Sequence, residues 1–224
     1  MDAVVSRTIP RLPLIDEVYG SLREGIVRGE YLPGTHLVEA NLTRAYGVSR
    51  STIREALRRL HADDLVEVVP HRGATVRRLS LEDVMDLYTV REPIEALAAR
   101  LAAAAPADAA EQLLSIHEDA EAAVAANDRL RFTRANVRLH RAIADMAGNR
   151  PLTIVLARLN TQIIGYQFAS VANAINFERA HREHGEVLAA IFARDSDAAE
   201  RAMRRHLRST RDSIVGAATQ RRPG

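Results

Sequence analysis

Cysteine, tryptophan and lysine are all missing from this 224-residue chain, and aromatic residues make up only 4% of it. Without cysteine there is no disulfide framework, no thiolate metal site and no cysteine nucleophile. With so few aromatics, the 47% of hydrophobic residues is carried mainly by Ala, Leu, Val and Ile, a mixture that suits packed helices better than a sheet sandwich. No run of about 18 apolar residues occurs, so no membrane-spanning helix is expected. The first thirty residues carry Asp16, Glu17 and Glu24 and no unbroken apolar core, so a signal peptide is not expected either. What is left is the expectation of a soluble cytoplasmic protein with ample apolar material for a core.

The 31 basic residues are all arginine. Codon usage alone can produce that, so placement matters more than number. Residues 1–79 carry 12 Arg against 10 acidic residues, and residues 80–224 carry 19 against 19. Within 44–78 there are 8 Arg and 4 acids, so the formal net charge of +2 lies in the first third of the chain. A nucleic-acid footprint is local in this way.

Hydrophobic spacing predicts a helix over 14–28, with Ile15, Val18, Tyr19, Leu22 and Ile26 on one face. "GEYLPGTHL" breaks it as a turn, and a short helix follows at about 38–45. "YGVS" then reads as a tight joint, with Gly47 suited to a left-handed conformation and Ser49 to an N-cap. The next helix carries Ile53, Leu57 and Leu60. "LVEVV" and "ATVRRL", joined by "PHRG", read as a two-stranded hairpin. Three helices and a hairpin make a winged helix-turn-helix over residues 1–79.

From Ser80 no strand signal remains. "SLED" is a capping box, and helices are expected at roughly 81–104, 107–126, 128–147, 150–171, 174–193 and 196–215. The fold class is therefore mainly α: the winged domain, then a six-helix bundle over 80–224. Pro93, inside the first of these helices, predicts a kink.

In the helix that starts near Ser49, Arg50, Ser51 and Arg54 occupy the first turn and a half, opposite the apolar Ile53, Ala56, Leu57 and Leu60. The N-terminal end of such a second helix enters the major groove, where Arg can fork onto guanine and Ser or Thr can bond phosphates or base edges. The wing residues His71, Arg72 and Gly73 would lie near the adjacent backbone. The plainer reading is a solvated helix face, and Arg58 and Arg59 fit it better, because Glu55 or Asp63 can pair with them.

The run from "LREGIVRGEYLPGTHL" through "YGVSRSTIREALRRL" to "PHRGATV" resembles the DNA-binding domain of the GntR superfamily, in register from Ile26 to Val76. The resemblance implies DNA contacts from Arg50, Ser51, Thr52 and Arg54, with His71 and Gly73 from the wing. Two positions depart from the family pattern. Ala40 stands where many members carry a DNA-contacting basic residue, and Asp64 replaces the usual Gly before the wing.

Three histidines fall on inward faces of the second domain: His140 with Ile143 and Ala147, His184 with Val187 and Ile191, His206 with Met203 and Thr210. Imidazoles entering a bundle core from three helices can share a divalent metal, and Asn136, one turn before His140, could be a fourth ligand. Buried histidines that only satisfy hydrogen bonds are the alternative; His117 also follows an apolar stripe and has no assigned role. "RLHRAIADMAGNRPL" and the segment around "REHGEVLAAIF" resemble the ligand-binding domain of the fatty-acid-regulator-like (FadR, FCD) branch of GntR. Many members there hold a metal with an Asp and three His. The resemblance implies Asn136, His140, His184 and His206 around Zn, Ni or Mn, with a neutral amide where the family has a carboxylate.

Arg91 shares a helix face with Val84, Leu87, Tyr88 and Ile94, an odd place for a charge. Either it pairs with Glu95 one turn on, or it faces a cavity that binds a small carboxylate metabolite. Together these readings predict a regulator, in the commoner case a repressor, that binds operator DNA as a homodimer and senses an organic acid. The rivals are a metal-dependent enzyme tethered to DNA and a DNA-binding protein without an effector. Catalysis would need a base beside the metal, and Glu183, next to His184 in sequence, points elsewhere along the helix.

Overall fold

Residues 14–69, 73–106, 110–166 and 176–220 are described by a computed structural model of the chain. They divide into two compact units, one ending at Arg77 and the other starting at Arg78. No helix among them is long and apolar enough to cross a membrane.

In the first unit the expected helix forms over Leu14–Val27 (α1), followed by a two-residue strand His36–Leu37 (β1) and helix Glu39–Tyr46 (α2). Gly47 ends α2 with φ of 63°, in the left-handed region that glycine enters without steric cost. Ser49 then caps Arg50–Ala62 (α3), its Oγ accepting from the Thr52 amide at 3.2 Å. Strands Val66–Val69 (β2) and Gly73–Val76 (β3) pair antiparallel, Val66 opposite Val76 and Val69 opposite Gly73. The core is drawn from every element: Val18, Leu22 and Ile26 of α1, Leu42 of α2, Ile53, Leu57 and Leu60 of α3, and Val66 and Val76 of the sheet.

Periodicity had no means of finding β1. Two residues are too short to show alternation, and the strand exists because Leu37 pairs with Ala74, making a three-stranded sheet in the order β1-β3-β2. This contact also explains Gly73. Its φ is +98°, and a Cβ there would stand 2.4 Å from the Leu37 carbonyl oxygen.

The second unit contains Leu81–Ala104 (α4), Ala110–Ala125 (α5), Arg129–Met146 (α6), Arg150–Tyr166 (α7), Phe177–Phe192 (α8) and Ser196–Gln220 (α9). Both halves of the Ser80–Asp83 capping box are made: the Asp83 amide reaches Ser80 Oγ at 3.0 Å, and the Ser80 amide reaches Asp83 Oδ2 at 2.8 Å. α4 runs without a break through Pro93. α9 extends five residues beyond the expected 215 and carries the buried Ile214 in its last turns. α4, α6, α7, α8 and α9 bury one core that includes Tyr88, Leu139, Ile143, Leu156, Val187 and Met203.

Candidate metal centre and nucleic-acid interface

His140 on α6, His184 on α8 and His206 on α9 are all buried, at 5%, 1% and 3% exposure, and present one ligand nitrogen each within 4.8 Å of one another. The Nε2 atoms of His184 and His206 are 3.1 Å apart. Helical spacing had put each ring inward; only the packing of three helices brings the rings to one point.

Two carboxylates stand behind these rings. Glu95 of α4 bonds His140 Nδ1 through Oε2, and Glu183 of α8 bonds His206 Nδ1 at 2.9 Å. Burial raises the Glu95 pKa, but Arg91 and His140 outweigh it and bring it down to about 2. Burial likewise raises Glu183, and the His206 hydrogen bond returns it below the ordinary carboxylate range. An ionised carboxylate only accepts, so each of these Nδ1 atoms donates its proton to the carboxylate behind it. Burial, followed by the neighbouring rings His206 and His140, pushes His184 well below the ordinary histidine value. Burial lowers His206 too, against the pull of Glu183.

Three buried imidazoles with converging ligand nitrogens, two of them held from behind by a carboxylate on Nδ1, make up a donor set that fits a divalent metal ion. One more sign agrees: His184 Nδ1 is buried without a hydrogen-bond partner. In the bond to His206, His184 Nε2 has to supply the proton, which leaves Nδ1 an unsatisfied acceptor. In the other tautomer, with the proton on Nδ1, His184 Nε2 has a lone pair to offer an ion. Asn136 lies one turn before His140 on α6 and is half-buried.

Arg91 is 5% exposed and pairs with Glu95, Nε to Oε1 at 2.8 Å and Nη2 to Oε1 at 2.6 Å. Glu95 therefore links Arg91 to His140, balancing the guanidinium charge with one oxygen and accepting from the imidazole with the other. Arg91 Nη1 has no hydrogen-bond partner and is buried. The structural pairing and an unpartnered buried donor thus occur in one side chain. The sequence reading named Glu95 only as a partner for Arg91. Its second bond, to His140, comes from a residue 45 positions away on another helix, and the Glu183 bond to His206 spans 23 positions. Neither has a local signal, and Glu183, expected from its place beside His184 to point elsewhere, in fact reaches His206 of the same cluster.

A second histidine pair was also missed. His117 on α5 and His181 on α8 stack with centroids 4.1 Å apart and planes 17° from parallel.

On α3, Arg50, Ser51 and Arg54 are exposed and Thr52 is half-buried. Ser49 Oγ holds the hydroxyls of Ser51 and Thr52 at 2.7 and 2.8 Å, so both belong to the cap network. Arg54 is bound through Nε to both Glu39 carboxylate oxygens of α2 at 3.0 and 2.9 Å, while its Nη groups make no bond among the described residues. Arg50 has no ion pair among them. Arg58 pairs with Glu55 at 2.9 Å, and Arg59 with Glu55 and Asp16. Of the wing, Gly73 opens β3 and is buried, whereas His71 and Arg72 lie outside the described residues. Asp64, where the family usually has Gly, holds φ of 58° and pairs with Arg77 at 3.4 Å.

Residues 14–76 match the bacterial regulatory proteins of the gntR family, and residues 86–209 match the FCD domain. The uncharacterized HTH-type transcriptional regulator YdhC of Bacillus subtilis is 30% identical over 202 residues, covering 87% of this chain and 88% of that protein. The galactonate operon transcriptional repressor of Escherichia coli is 29% identical over 213 residues, covering 84% and 90%. Among solved structures, E. coli McbR/YncC superposes with a TM-score of 0.79 at 21% identity, covering 95% of this chain and all of that one, a likeness of fold.

Proposed function

This chain belongs to the gntR family of bacterial regulatory proteins and carries an FCD domain, and from that premise we propose that it is a metabolite-controlled repressor. It is a DNA-binding transcriptional regulator, not an enzyme. The proposal concerns what it senses and how. A small organic acid, in the class of sugar acids, binds in the helical unit beside a divalent Zn, Ni or Mn ion held by His140, His184 and His206, with Asn136 as a further ligand. The convergence of three imidazoles backed by Glu95 and Glu183, with Arg91 Nη1 left open one residue away from that network, carries this reading. The metal, when bound, supplies a position where a carboxylate can coordinate. Arg91 receives a carboxylate oxygen by a charge-assisted bond, and Glu95 keeps its guanidinium oriented. The likeness to a galactonate operon repressor supports an acid of this class.

Two copies of the winged unit bind a two-fold operator in the cytoplasm. Arg50 and Arg54 read bases or phosphates from the start of α3, joined by Ser51, Thr52 and the wing residues His71 and Gly73. Glu39 takes Arg54 Nε and leaves the two Nη ends for DNA, so it acts as a positioning residue for that fork.

Metal content of protein purified without chelator, and a thermal-shift screen with sugar acids followed by gel shift on DNA upstream of its own coding region, test the reading. Metal near one per chain, lost in His184→Ala, with an acid that raises the melting temperature and releases DNA, is the expected result. Metal-free wild type with no response to any acid, and an operator complex indifferent to them, would overturn it.

A further inference from the structure

Two of the three central histidines have a carboxylate behind them, Glu95 on His140 and Glu183 on His206. His184 has none among the described residues, and its Nδ1 is buried without a hydrogen-bond partner. What lies beside it on α8 is a second pair of imidazoles. His181, three residues earlier and so on a neighbouring part of the same face, stacks on His117 of α5. Both rings are half-buried, and both Nδ1 atoms are buried without a partner as well. Both are also close enough for their charge to bear on His184. Three unpartnered imidazole nitrogens at one helix contact run against the general rule that buried polar groups are satisfied.

Gly185, directly after His184, shapes the space between α5 and α8. A Cβ there would meet the His117 ring and nothing else within 4 Å, Nε2 at 3.5 Å and Cε1 at 3.8 Å. The notch beside the centre is thus filled by a side chain, which turns far faster than packed helices part. Glu118 and Glu121 of α5 are exposed, and their charges act on His117; that of Glu121 reaches His181 too. From solvent inward the order is carboxylates, half-buried imidazoles, then His184. The centre itself is only 1% to 5% exposed, so an ion has to shed its water before arriving. Losing that shell without replacement donors is costly, and imidazole is a donor that Zn and Ni accept. With planes 17° from parallel, the stacked rings do not aim their lone pairs at one point. One ring has to turn to meet an ion, which suits handing it on rather than holding it.

We propose that His117 and His181 are the entry station through which a divalent transition ion reaches His184 and the buried centre. The proposal rests on the reading of His140, His184 and His206 as a metal centre, and adds how an ion gets there. Glu118 and Glu121 draw the cation to the α5–α8 edge. His117 and His181 replace part of its water shell, and the notch at Gly185 lets the His117 ring swing without moving backbone.

Zinc loading of the chelator-treated full chain, followed by stopped flow with a chromophoric chelator reporting free zinc, tests this beside the equilibrium affinity. The double variant His117→Phe, His181→Phe keeps two stacked rings and removes their nitrogens. Loading and release should both slow by about tenfold while the dissociation constant stays at the wild-type value, because only the passage has lost its ligands. Should circular dichroism show that variant unfolded, His117→Gln with His181→Gln, which keeps polar atoms at these depths, carries the same expectation. Unchanged rates in a folded variant would overturn the station and leave the three-histidine centre standing. Faster rates would do the same, making the pair a plug. A wild-type chain that takes up no zinc would overturn the centre, and the station with it.

Discussion

Two backbone positions show how a single residue carries its neighbours' geometry. Gly73 is required by β1: with φ at +98° and the Leu37 carbonyl 2.4 Å from any added Cβ, Gly73→Ala should cost roughly 2 kcal/mol or more of the winged unit's stability. Chemical denaturation would measure that, and DNA binding lost in this variant would report unfolding rather than a missing contact. Asp64 is the reverse case. It occupies a left-handed conformation, with φ of 58°, that a Cβ makes costly, and only its exposed ion pair with Arg77 offsets this. Asp64→Gly should therefore leave DNA binding intact and raise the unfolding free energy by up to about 1 kcal/mol. The departure from the family's glycine was visible in the sequence; that the aspartate stands in a left-handed conformation was not, because backbone φ is not encoded by residue type alone.

At the scale of the element, α4 gathers most of what distinguishes the helical unit. Its start is set locally, by a capping box that could be read from four letters. Its middle is set by distant partners. Arg91 and Glu95 are one turn apart and could be paired on paper, yet what makes the pair tolerable in the interior is His140 on α6, which takes the second Glu95 oxygen. Glu95→Ala should destabilise the helical unit by about 3–5 kcal/mol, because it leaves the Arg91 guanidinium buried without a counter-charge. Thermal unfolding of that variant checks it, with Glu92→Ala, on the same helix but paired near the surface with Arg204 and Arg208, as a milder comparison. α3 divides in the same way. Its apolar face and cap follow from sequence, whereas the Arg54–Glu39 bond depends on how α2 and α3 cross.

For the whole molecule, two cores imply two contributions to stability that a ligand of one unit can separate. An ion bound by the three histidines stabilises the folded helical unit by mass action, about 2.7 kcal/mol at a hundredfold excess over its dissociation constant. Adding Zn, Ni or Mn to chelator-treated protein should raise the melting transition of the helical unit, and His206→Ala should abolish the shift. In the proposed reading, DNA binding draws on the other unit's arginines. Its affinity should fall steeply with salt, and Arg50→Ala should reduce the slope of that dependence by about one counterion.

Helix positions, the turn at Gly47, the cap at Ser49, the capping box at Ser80 and the inward faces of three histidines were determined by the sequence itself, because each depends on residues within one or two turns of one another. The close approach of β1 to Gly73, the meeting of His140, His184 and His206, and the carboxylates of Glu95 and Glu183 behind them were decided only by tertiary structure. They join residues tens of positions apart, and no local periodicity records which faces of which helices pack together.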